Sequence, residues 1–77
     1  MDLQLLGSRI AEKGLKKQYV AEHLGLTYPG FYNKMRGIRP FTLTEISLLR
    51  DLLSLDRNDM ERIFFADDVE KKSTKEG

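Results

Sequence analysis

Apolar residues recur along this chain at helical rather than strand spacing. Leu3, Leu6 and Ile10 fall three and four apart, and Gly14 follows Lys13 where a helix end is capped. That pattern predicts a first helix over 2–13. A second begins near Lys17, carries Val20, Ala21 and Leu24 as its inner stripe and ends at Gly25. Its cap position is held by Lys16, where Ser, Thr or Asp would bond a free amide better. Thr27 is placed to cap a third helix, which turns Phe31 and Met35 inward and closes at Gly37. The stretch "FTLTEI" gives the sharpest local signal: Thr42 stands at an N-cap and Glu45 three residues on, a capping box that satisfies two orphan amides. Phe41 and Ile46 occupy the staple positions around it, and Ile46, Leu49 and Leu53, with Leu52 beside them, line the buried face. A fifth helix follows Asp56 as N-cap, with Met60, Ile63 and Phe64 as its stripe and Leu55 and Met60 as a second staple. No strand pattern competes and no internal repeat occurs. The expected fold is all-α, built from five short helices.

After Ala66 the segment "DDVEKKSTKEG" contains one apolar residue, and it reads as a disordered, charged tail over 67–77. Residues 1–66 then form the one domain that a 77-residue chain with 40% hydrophobic content can support. The absence of cysteine excludes disulfides and thiolate metal sites and points to the cell interior. No apolar run approaches the length of a membrane span, and the N-terminus lacks a secretion signal, so a cytoplasmic location is expected. His23 alone makes no zinc site, and it reads as a surface or half-buried helix residue. Asp67 and Asp68 lack companion ligands, so no metal or cofactor is expected. With no cysteine nucleophile, no triad around the histidine and little room for a pocket, an enzyme is the weakest of the function classes.

Charge sharpens the picture once it is divided along the chain. Residues 9–39 hold seven basic side chains (Arg9, Lys13, Lys16, Lys17, Lys34, Arg36 and Arg39) against Glu12 and Glu22. Residues 40–77 hold six basic and nine acidic ones. A basic front half suggests a polyanionic partner, against the alternative of a mixed solvated surface.

The segment "GLKKQYVAEHLGLTYPGFYNKMRG" followed by "RPFTLTEISLLRDLL" resembles the lambda-repressor-like helix-turn-helix regulators of the Cro and CI type. The resemblance covers about residues 3–65 and rests on Ala21, Gly25, Leu26, Phe31 and Gly37 at family spacing. It implies a compact five-helix DNA-binding domain with the helix-turn-helix at helices two and three. The chain is most similar to the small Cro-type regulators of temperate phages, some of which act as antirepressors by binding a partner CI repressor. Two implied partners follow, operator DNA and a CI-type repressor, together with a homodimer. Family members commonly carry Thr and Gln where Lys16 and Lys17 stand, and Gln or Ser where the third helix here begins with Tyr28 and Pro29.

With Phe31 and Met35 inward and about 100° per residue, the outer face of the third helix holds Pro29, Asn33 and Arg36, with Tyr32 beside them and Tyr28 on the first turn. Arg36 and Asn33 suit bidentate bonds to guanine and adenine. Pro29 is harmless in a first turn, and Gly30 removes bulk where another molecule could come close. Phosphate contacts are expected from Lys16, Lys17 and Gln18 at the start of helix two and from Arg39 just past helix three. Tyr28, Pro29, Phe31 and Tyr32 also make this helix suited to a protein surface, which keeps the antirepressor alternative open. Tyr19 and Tyr32 serve either packing or contact, and Phe65, adjacent to Phe64, is either a dimer contact or a partly exposed ring.

Overall fold

Residues 1–65 are described by the computed structural model, and the tail expected over 67–77 lies outside the described residues. Asp2 opens helix α1 (Leu3–Glu12): its carboxylate accepts the Leu5 amide at 3.0 Å, so the residue read as the first of the helix is its cap. Helix α2 (Lys17–His23) starts at Lys16 without any side-chain cap bond, as its sequence implies. Helix α3 (Tyr28–Met35) is capped by Thr27, whose hydroxyl accepts the Gly30 amide at 3.1 Å. Helix α4 (Leu43–Leu53) begins with the full capping box: Glu45 N–H donates to Thr42 Oγ1 at 3.1 Å and Thr42 N–H donates to Glu45 Oε1 at 3.0 Å. Among the described residues the architecture is five α-helices with no strand.

The fifth helix departs from its expected form. Helix α5 is only Arg57–Met60, and the chain continues as a π-helical turn over Glu61–Phe65. A second capping box, between Asp56 and Asp59, starts it. The Asp2 amide donates to the Ile63 carbonyl at 2.6 Å, tying the start of α1 to this last turn. The expected stripe survives the change of pitch: Ile63 and Phe64 are buried and Met60 is half-buried.

Helix ends repeat one device. After α2, the Leu26 amide bonds the Ala21 carbonyl at 2.9 Å and the Gly25 amide bonds the Glu22 carbonyl at 3.0 Å. That is a Schellman motif, and it needs a left-handed residue, which Gly25 supplies with φ +75°. The same bonding pattern closes α1 at Gly14, α3 at Gly37 and α4 at Ser54. Ser54 is the exception in chemistry, because it holds φ 55° and ψ 46° while carrying a side chain.

The core gathers Leu6 and Ile10 from α1, Val20, Ala21 and Leu24 from α2, Phe31 from α3, and Leu49 and Leu53 from α4. Phe41 and Leu55 enter it from the loops, and Phe41 meets the fully buried Phe31 ring edge-on at 6.3 Å. Leu3, Leu26, Met35, Ile46, Leu52 and Met60 pack around the margin. Gly7 of α1 faces Met35 of α3, and a Cβ there would make only an ordinary contact, 3.9 Å from Met35 Cε.

Candidate functional site

Helix α3 is held from one side only. Phe31 is its one fully buried residue, and α2 packs against it across the four-residue turn 24–27. Burying that ring contributes roughly 1.5–3 kcal/mol, enough to fix which face points outward. Tyr28, Pro29, Tyr32 and Arg36 are exposed, with Tyr28 and Tyr32 at 45% and 47%. Asn33 is half-buried, and its carbonyl accepts the Ile38 amide in the closing Schellman pair.

Along the exposed side three residues form a ladder. The Tyr28 and Tyr32 rings stack with centroids 6.3 Å apart and an angle of 21° between planes. The Arg36 guanidinium carbon then lies 5.5 Å from the centre of the Tyr32 ring, within cation–π range. The spacing i, i+4, i+8 was legible in the sequence, but inward and outward faces alone did not join the three into a unit.

The basic front half divides into engaged and unengaged cations. Arg9 pairs with Glu12 and with Asp59, each at 3.1 Å. Lys34 pairs with Glu45 at 2.6 Å, and the two side chains are only 13% and 11% exposed. Lys34 therefore bridges the last turn of α3 to the cap of α4 and is spent on the fold. By contrast, Lys13, Lys16, Lys17, Arg36 and Arg39 are exposed and enter no ion pair among the described residues, and Gln18, next to Lys17 in the chain, is exposed too. These five are the charges of the front half left for a partner. Lys34 was counted among them by composition alone, and nothing in its neighbourhood of sequence announced a carboxylate eleven residues away.

Titration follows the same contacts. Burial pushes the Glu45 carboxyl up, but the Lys34 hydrogen bond, the Thr42 amide and the lysine charge outweigh it and hold the group below its ordinary value. Asp59 behaves alike: burial raises it, while the Arg9 bond, the Asp56 amide and the charges of Arg9 and Arg62 bring it down overall. Arg9 is raised, chiefly by its hydrogen bond to Asp59.

Gly30 has an intramolecular neighbour that its sequence context concealed. A Cβ there would sit 3.1 Å from Thr27 Oγ1, a tight contact with the hydroxyl that caps α3. Crowding of the cap, which involves no partner, is a local cost that a side chain at this position would meet. Pro29 occupies the first turn, where no helical acceptor awaits an amide.

Other exposed apolar residues lie off α3. Tyr19 tilts against the exposed His23 ring at 6.2 Å, while Ile38, Leu43 and Phe65 stand open, Phe65 touching Phe64 edge-on. No described helix is long and apolar enough to cross a membrane. No family model matches the chain, and neither the curated proteins nor the solved structures contain a match to it.

Proposed function

We propose that this chain is a non-enzymatic transcription regulator of the Cro/CI type, working inside a bacterial cell as part of a phage genetic switch. In this reading α2, the Gly25 turn and α3 act as a helix-turn-helix, and α3 enters the major groove of operator DNA. The observation that carries it is the partition of cations: Arg36 on the open side of α3, and the exposed Lys16, Lys17 and Arg39, have no carboxylate to satisfy them among the described residues. Exposed, unpaired lysines and arginines suit a row of phosphates, and Arg36 suits guanine O6 and N7. Two copies would meet two half-sites, with the exposed Phe65 as a contact between them.

Selection of duplexes from a randomised pool, followed by anisotropy titrations at several salt concentrations, tests this. A sequence motif should emerge, and affinity should fall steeply with salt. Lys17→Ala should lower the salt slope by about one, since it removes one phosphate contact. Lys34→Met should leave that slope unchanged, because its charge is already engaged. Failure to enrich any motif, with affinity indifferent to salt, would overturn the proposal.

One observation favours a second reading, that of an antirepressor docking on a CI-type repressor. Two stacked tyrosines about half exposed on one helix are the kind of surface that protein interfaces enrich. Under that reading Tyr28→Ala abolishes capture of the repressor while Lys17→Ala does little.

A further inference from the structure

Tyr28, Tyr32 and Arg36 are spaced so that each step advances about 6 Å along α3 and turns about 40° around it. The ladder therefore spans about 12 Å, the rise of three to four base pairs at about 3.4 Å each. An arginine carries a long flexible chain, and both donors meet one base only when that chain is fixed. Here the Tyr32 ring faces the guanidinium at 5.5 Å, while no carboxylate or hydroxyl bonds the Arg36 side chain among the described residues. A ring engages the flat face of a guanidinium and leaves its edge, where the five N–H donors lie, unoccupied. The ring itself is steadied from the other side by Tyr28, which follows the Thr27 cap directly. Anchoring thus runs outward from a fixed helix start, through two rings, to one cation.

We infer that Tyr32, buttressed by Tyr28, is a positioning residue that holds Arg36 ready for a single guanine and so sets the base read at one position of the DNA site. This rests on the DNA-binding reading above. A leucine at position 32 would keep the helix but offer no π face, and Arg36 would return to its free rotamers. A phenylalanine would keep the face and lose only the hydroxyl.

Two measurements on the full chain test it. In the free protein, the Arg36 side-chain protons should be shifted upfield by the Tyr32 ring, a shift kept in Tyr32→Phe and lost in Tyr32→Leu. On the selected duplex, Tyr32→Leu should weaken binding about two- to fivefold, as expected for an exposed cation–π contact. The loss should fall on the guanine-bearing duplex, so that discrimination at that one position shrinks by the same factor and other positions keep theirs. Tyr32→Phe should retain wild-type affinity, and Tyr32→Leu should add nothing in the Arg36→Ala background. A Tyr32→Leu loss that persists undiminished beside Arg36→Ala, or that spreads over all positions, overturns the inference. Selective binding indifferent to position 32 also overturns it while leaving the DNA reading intact, whereas a wild-type chain that selects no duplex removes both.

Discussion

Replacing Glu45 with glutamine strikes the joint between α3 and α4. One oxygen, Oε1, accepts both from Lys34 Nζ at 2.6 Å and from the Thr42 amide at 3.0 Å. Glutamine keeps an acceptor but removes the charge, leaving the Lys34 ammonium in a site where it is 13% exposed. An exposed ion pair is worth about 0.2–1 kcal/mol. Breaking a buried one costs about 3–5 kcal/mol, because the survivor keeps an unmatched charge. This pair lies between those limits, since Lys34 can reach solvent through its flexible stem, so Glu45→Gln should destabilise by about 2 kcal/mol. For a domain of this size that lowers Tm by roughly 8–16 °C. Lys34→Met should cost about 1–2 kcal/mol, with a coupling of about 1 kcal/mol or more in the double-mutant cycle. Urea melts followed by circular dichroism at 222 nm supply all four corners of the cycle. Acid adds an independent check. The folded-state pKa of Glu45 is depressed, so its stabilisation is complete above the unfolded value of 4.5 and disappears as pH falls through the lower folded value. The gap between wild type and Glu45→Gln should therefore be flat near neutrality and narrow below 4.5. A coupling below about 0.5 kcal/mol, or a gap constant down to strong acid, would refute the assignment of Lys34 to the fold.

Two further outcomes follow from the backbone. Ser54 holds a left-handed conformation that disfavours a side chain by about 1–2 kcal/mol, so Ser54→Gly should stabilise by about 0.5–1 kcal/mol once the extra freedom of glycine in the unfolded chain is deducted. A lower urea midpoint for that variant would contradict the strain. Gly30→Ala improves helix propensity by about 1 kcal/mol but crowds the Thr27 hydroxyl at 3.1 Å, so its benefit should be about 0.5–1 kcal/mol greater in a Thr27→Ala background. Equal benefits in both backgrounds would show that the cap bears no such cost.

The sequence by itself determined the features that are settled within four or five residues. Thr27 and the Thr42–Glu45 box announce helix starts, and Gly14, Gly25 and Gly37 announce ends, because caps and left-handed turns depend on neighbouring amides and carbonyls alone. Apolar spacing likewise named the buried face of each helix, Phe31 and Leu49 among the residues that turned inward. The expected fifth helix was right in its cap and stripe but not in its pitch, which widens after Met60 where the Ile63 carbonyl turns to the Asp2 amide at the far end of the chain. Only the tertiary structure decided how charges are spent. Lys34 and Arg36 look alike in the sequence, two residues apart on one helix, yet one is committed to Glu45 and the other rests on a tyrosine ring at the surface. Which carboxylate a lysine meets depends on where two helices cross, and a one-dimensional pattern of hydrophobic and polar residues does not hold that distance.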